Sequence, residues 1–215
     1  MTKILSKINI PSERISAVDG QKLDKYSYTI NMQNNNMSDS EIACTLSHIK
    51  AILSLTNVKG EYFLICEDDI SFDNVYMFKQ DLKYIISKCP SFDILMLYKT
   101  FIDDSLTETY TNWNNMNLFK PAGAVAYIIS RQGINKFAKY NKINNNNIHT
   151  TMPFSVSDDY IYKDLDTYIY KFNFIVTIPL NQSTIHNHSS IHLLVEQMNN
   201  MDIQFKYLNE DYIHS

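Results

Sequence analysis

Tyr62-Phe63-Leu64-Ile65-Cys66-Glu67-Asp68-Asp69 sets a short apolar run directly against three carboxylates. The run has the length of a strand buried on both faces, the pattern of parallel sheets. In open α/β sheets, ligands bind outside the carboxyl ends of the strands, which is where this strand delivers its acids. Alternation along an extended chain would put Glu67 and Asp69 on one side and Asp68 on the other. Three adjacent carboxylates repel one another. Magnesium or manganese would relieve that repulsion, taking oxygen from one or two carboxylates and completing its shell with phosphate oxygens and water. A solvated acidic turn capping the next helix fits the same three residues equally well.

Working upstream, Ser38 stands three residues before Glu41, which is capping-box spacing, and Ile42, Leu46, Ile49 and Leu53 follow at helical spacing. That helix is expected to end near Asn57 to Gly60. Before it come a short helix over Lys3 to Asn9, an extended stretch from Arg14 to Val18 and a turn at Asp19-Gly20. Downstream, Val75 to Lys88 reads as a helix stopped by Cys89-Pro90, and Asp93 to Tyr98 as a second buried strand. Lys99 to Asn117 reads as a long polar loop, and Ala122 to Ile129 as a third strand followed by a helix capped by Ser130. The tracts Asn34 to Asn36 and Asn144 to Asn147 read as exposed loops. Val156-Ser157-Asp158-Asp159 opens a short helix, Tyr168 to Ile178 forms a strand, His186 and His188 lie in a loop, and Ser190 to Met201 can form an amphipathic helix. Strands alternating with helices predict an α/β sandwich with a mainly parallel sheet, in one domain over residues 1–215.

Composition narrows the function classes. Hydrophobic residues make up 45% of the 215, enough for a sizeable core, and 4 glycines with 5 prolines are too few for a disordered chain. A formal net charge of -4 provides no broad attraction for nucleic acid. Cys44, Cys66 and Cys89 cannot all pair, and they read as reduced thiols. No apolar run is long enough to span a bilayer. The expected location is the cytoplasm, including that of a host cell, with a virion or secretory compartment left open if the chain belongs to a longer protein. Homo-oligomerisation is also left open.

Four segments occur in order: Arg14-Ile-Ser-Ala-Val-Asp-Gly20, Glu41-Ile-Ala-Cys-Thr-Leu-Ser-His48, Phe63-Leu-Ile-Cys-Glu-Asp-Asp-Ile70 and Gly123-Ala-Val-Ala-Tyr-Ile-Ile-Ser-Arg131. Together they resemble the successive blocks of glycosyltransferase family 25, which includes bacterial lipooligosaccharide galactosyltransferases and procollagen galactosyl- and glucosyltransferases. The likeness runs from about Lys3 to Ile191. It implies a GT-A-like, Rossmann-related fold, a UDP-galactose or UDP-glucose donor, manganese (or magnesium), and a glycan or hydroxylysine-containing acceptor. Family members carry a first strand and an arginine-rich turn upstream of the segment matching Ile8 to Gly20, so a sheet lacking that strand is expected here.

By that resemblance, Glu67, Asp68 and Asp69 stand at the DxD-type metal motif, with His186 as a late metal ligand. Asp19, Ser47, His48 and Asp68 belong near the donor. His48 also reads as a structural histidine at the core edge, and Lys50 as solvated. An inverting transfer needs a carboxylate within reach of the acceptor hydroxyl, and Asp158-Asp159 matches the family's acidic pair. Asp158 is the preferred base, and a helix-capping role is the alternative for either acid. Trp113 would stack on a sugar or uracil ring, or anchor its loop. A non-catalytic sugar-nucleotide-binding or glycan-binding module of the same descent is the alternative function. A metal-dependent phosphohydrolase using the same carboxylates is a further rival.

Overall fold

The computed structural model describes residues 11–25, 27–32, 37–72, 75, 78–100, 106, 108–116, 120–144 and 147–177. The expectations for the first strand, the Lys3 helix, the Asn34 tract, His186, His188 and the Ser190 helix concern residues outside that set. After an extended stretch and a short 3-10 segment over Gly20–Lys25 come β1 (Ser27–Met32) and α1 (Asp39–Ser54).

The start of α1 is as the sequence predicts. Ser38 Oγ accepts from the Glu41 N–H while the Glu41 carboxylate accepts from the Ser38 N–H. Such reciprocal capping contributes about 1 kcal/mol. Ile42, Leu46, Ile49 and Ile52 are buried, so this face of α1 packs into the core.

β2 (Tyr62–Cys66) and β3 (Ile70–Ser71) flank the acidic turn, followed by α2 (Leu82–Lys88) and β4 (Ile94–Met96). Among the described residues, the helix expected over Val75 to Lys88 is confined to its last part. Asp81 takes the N-cap position and accepts from the Tyr84 N–H at 2.7 Å, which starts the helix there. Cys89 ends it in an extended conformation, as the following Pro90 requires.

The polar stretch read as one long loop contains β5 (Tyr110–Asn112) and a 3-10 turn over Trp113–Asn115. Next come β6 (Ala126–Ser130) and α3 (Arg131–Tyr140), the latter capped by Ser130 as expected. β7 (Asn141–Asn144) and β8 (Asn147–Phe154) form a hairpin, two strands not expected on either side of the Asn144 to Asn147 tract, whose described ends Asn144 and Asn147 are exposed as predicted. The chain continues through α4 (Ser157–Tyr162), β9 (Thr167–Tyr170) and β10 (Val176–Thr177), so the predicted strand from Tyr168 onward is two strands with a break between.

The central sheet has the order β2-β6-β4-β9-β5. Only β4 and β9 run parallel, and the other three pairings are antiparallel, which corrects the expectation of a mainly parallel sheet. The same correction applies to β2. Among the described residues it is an edge strand, antiparallel to β6, with Tyr62 48% exposed. A continuous apolar run encodes burial but not the direction of its neighbours, and it is β4 and β6 that are buried on both faces.

Alternation along those two strands divides the core. Ile94, Met96, Tyr127 and Ile129 pack with α1, α3 and α4, while Leu95, Leu97, Ala126 and Ile128 pack with Ile85, Phe172 and Phe174. β1 pairs parallel with β8, making a smaller three-stranded sheet with β7. The architecture is mixed α/β. No helix of the described residues is long and apolar enough to cross a membrane.

Candidate active site at the end of the edge strand

Because β2 and β6 are antiparallel, the end of β2 meets the loop leading into β6. The Glu67 N–H donates to the Val125 carbonyl at 2.8 Å, which fixes the acidic turn against that loop. Beyond Glu67 the chain turns at Asp68-Asp69, so the strand-like alternation expected for the triplet stops. Glu67 and Asp69 are half-buried and Asp68 is exposed.

Glu67 faces α1. Its Oε1 is 3.1 Å from His48 Nε2 and 3.8 Å from Cys44 Sγ. Cys44 and His48 are four residues apart on α1, hence on one face of the helix. The other imidazole nitrogen, Nδ1, is 3.1 Å from the Tyr127 hydroxyl on β6. His48 is buried, which by itself would lower its pKa. Its bonds to Cys44 and Glu67 outweigh burial and raise it to about 9. Burial pushes the Tyr127 phenol well above its ordinary value, so this hydroxyl stays protonated.

Asp158 reaches the same loop from the first turn of α4. Its Oδ1 accepts from the Gly123 N–H at 3.0 Å and from the Ala124 N–H at 2.6 Å. Burial raises its pKa, and the two backbone donors only partly offset that. The helix-capping alternative is thereby set aside for Asp158, since Val156 is the N-cap of α4 and makes no side-chain capping bond. Asp159 is exposed in that first turn. Gly123 is at φ +127°, where an added Cβ would come within 2.8 Å of Tyr98 Cδ1, so the loop needs a glycine there. The Tyr162 hydroxyl donates to the Gly123 carbonyl at 3.2 Å and completes the clamp.

The other described candidates make structural contacts of their own. Asp19 caps its own turn, with Oδ1 accepting from the Gln21 N–H at 3.0 Å and Oδ2 paired to Lys22 at 2.7 Å. Ser47 Oγ accepts from the Val18 N–H at 2.9 Å and donates to the Ala43 carbonyl at 2.7 Å, tying the extended segment to α1. Lys50, read as solvated, donates to the Ser16 carbonyl at 2.8 Å and reinforces that tie. Trp113 is buried, its Nε1 donating to the Pro121 carbonyl at 3.1 Å, so it anchors its loop.

The four-residue spacing of Cys44 and His48 places them on one helical stripe already in the sequence, though without a role for Cys44 beyond a reduced thiol. Tyr127 and Tyr162 were missed as members of this cluster, because they sit inside apolar runs that read simply as core.

A family model described as "Glycosyltransferase family 25 (LPS biosynthesis protein)" matches residues 1–159. No curated protein matches the chain.

Proposed function

The chain belongs to glycosyltransferase family 25, and from that premise we propose that it transfers galactose or glucose from a UDP-sugar to a hydroxyl of a glycan or of a collagen-like hydroxylysine, in a metal-dependent, inverting reaction. Family membership implies a glycosyltransferase. Donor, acceptor, metal and stereochemistry are the proposal. The observation that carries it is the attachment of two acidic residues to one loop: Glu67 bonds through its backbone N–H to Val125, and Asp158 through its carboxylate to Gly123 and Ala124.

The donor set Glu67, Asp68 and Asp69 consists of carboxylate oxygens at a turn that is partly open to solvent, which suits manganese or magnesium. When bound, such an ion would neutralise charge on the departing diphosphate. His186 is retained as a further ligand in this reading, and Asp19, Ser47, His48 and Asp68 as donor-side residues.

The chain's own residues divide the rest of the work. Asp158 takes the proton from the acceptor hydroxyl as that oxygen attacks the anomeric carbon, and the sugar–phosphate bond breaks on the opposite side to give a β-linked product. Its raised pKa strengthens it as a base. Asp159, exposed beside it, faces solvent where an acceptor would approach.

The test is incubation with a panel of UDP-sugars, manganese and both acceptor types, read by mass spectrometry. Acceptor mass gain by one hexose supports the reading, and donor consumption without acceptor dependence would favour a phosphohydrolase instead. The double backbone bond to Asp158 Oδ1 favours a second reading, a donor-binding module without transfer. Calorimetry with UDP and manganese distinguishes it: binding lost in Asp69→Ala, with no transfer to any acceptor, is its signature.

A further inference from the structure

We propose that Cys44, His48 and Glu67 form a binding site for a thiophilic divalent ion, zinc being the best match, behind the acidic turn and separate in its chemistry from the hard-cation site proposed above. One ligand atom from each residue lies within 4.8 Å of the other two. Glu67 Oε1 is 3.1 Å from His48 Nε2 and 3.8 Å from Cys44 Sγ. Zinc bonds of about 2.0 to 2.3 Å in a tetrahedron separate neighbouring ligand atoms by roughly 3.3 to 3.7 Å, so side-chain adjustments of under an ångström or so suffice for those two pairs.

The donor set itself is selective. One thiolate, one imidazole and one carboxylate favour zinc or cobalt, and the sulfur disfavours manganese and magnesium. A thiolate with a carboxylate also balances a doubly charged cation, the thiol proton leaving to solvent. The remaining imidazole nitrogen is already held by the Tyr127 hydroxyl at 3.1 Å. That bond fixes the ring so that Nε2 points at Glu67, as ligating histidines are characteristically oriented. Cys44 and Glu67 are only half-buried, so an ion can reach the site and water can take a fourth position, with the Ser157 hydroxyl 3.7 Å from the sulfur. Glu67 is the shared residue, and zinc bound here would compete with manganese for it.

The experiment is titration of the purified, chelator-stripped full chain with cobalt, followed by zinc competition. A one-to-one complex with the intense visible bands of tetrahedral cobalt and a near-ultraviolet sulfur-to-cobalt band is expected, and zinc should bleach it. Cys44→Ser should remove the sulfur-to-cobalt band, Cys89→Ser should keep it, and Tyr127→Phe should weaken cobalt binding by about tenfold. Octahedral spectra without a sulfur band in the wild type, or a sulfur band that survives Cys44→Ser, would overturn the proposal. Asp69→Ala separates the two ideas: it should leave the cobalt spectrum intact, whereas loss of manganese-dependent UDP binding in that variant speaks to the proposed function alone. Circular dichroism of each variant verifies folding, and if Cys44→Ser does not fold, Glu67→Gln takes its place with loss of the tetrahedral spectrum as the expected result.

Discussion

His48 Nε2 lies 3.1 Å from Glu67 Oε1 while the opposite nitrogen of the same ring lies 3.1 Å from the Tyr127 hydroxyl, so one imidazole joins α1, the end of β2 and the start of β6. With its pKa raised to about 9, the metal-free protein carries this ring as a cation paired with Glu67. A group raised in the fold gives stability that is complete below its unfolded value near 6.5 and is lost as pH rises through the folded value. In chelator, the melting advantage of the wild type over His48→Gln should be flat below about pH 6.5, shrink between there and about pH 9, and then level off. The pH-dependent part should be on the order of 2 kcal/mol, discounted from the full shift because Glu67 is partly exposed. Thermal melts of both proteins across that range test it, and a gap that does not narrow would refute the ion pair.

Asp158 is expected to separate structural from chemical roles. Asp158→Asn keeps an oxygen for the Gly123 and Ala124 N–H groups but removes the base. Transfer should drop by about 10²- to 10⁴-fold with stability little changed. Asp158→Ala leaves the N–H groups of two buried residues without their acceptor, and an added loss of about 1–3 kcal/mol is expected. Urea unfolding alongside hexose-transfer assays distinguishes the pair. Equal activity in the wild type and Asp158→Asn would remove Asp158 from the mechanism.

Gly123→Ala addresses the same loop through the backbone. At φ +127° a side chain is strained, and the new Cβ would sit 2.8 Å from Tyr98 Cδ1 and 3.4 Å from Thr100 Oγ1. A destabilisation of about 1–3 kcal/mol is expected. Activity should fall further than stability accounts for, because the displaced N–H is one of the two that hold Asp158. Activity assays well below the variant's melting temperature isolate that part.

The legible features were those encoded locally. The Ser38–Glu41 box and the 3.6-residue spacing of Ile42, Leu46 and Ile49 are complete statements about α1 within a few residues, and the fold keeps them. The position of the acidic turn after β2 was legible for the same reason. Strand direction was not, because the apolar runs at 62–66 and 126–130 do not encode which neighbour each meets. β8 was hidden by composition: its inward set is Ile148, Thr150, Met152 and Phe154. Thr150 is a polar residue made at home by its hydrogen bond to the Tyr160 hydroxyl, a partner that only the packed fold supplies. Likewise Cys44 and His48 could be paired by helical spacing, but Glu67 joins them through tertiary packing of β2 against α1.

Arg131 carries the last prediction. It stands at the first position of α3 and donates from Nε to the Gly60 carbonyl, from one terminal nitrogen to those of Leu55 and Thr56, and from the other to that of Val58. Its guanidinium also lies 4.7 Å from the centre of the Phe63 ring. The carbonyls that follow the end of α1 have no further helical turn to satisfy them, and a planar fork with several donors suits this cluster where an ammonium does not. Arg131→Lys should therefore recover only a minor part of the loss seen in Arg131→Ala, which is expected to be about 2–4 kcal/mol given several carbonyl bonds and the stacking contact. Because this loop connects α1 to β2, the damage should spread to the His48–Glu67 contact. Cobalt binding at Cys44, His48 and Glu67 should weaken in parallel with stability across the wild type, Arg131→Lys and Arg131→Ala. Full rescue of both stability and cobalt binding by lysine would show that charge alone, and not the fork, holds the loop.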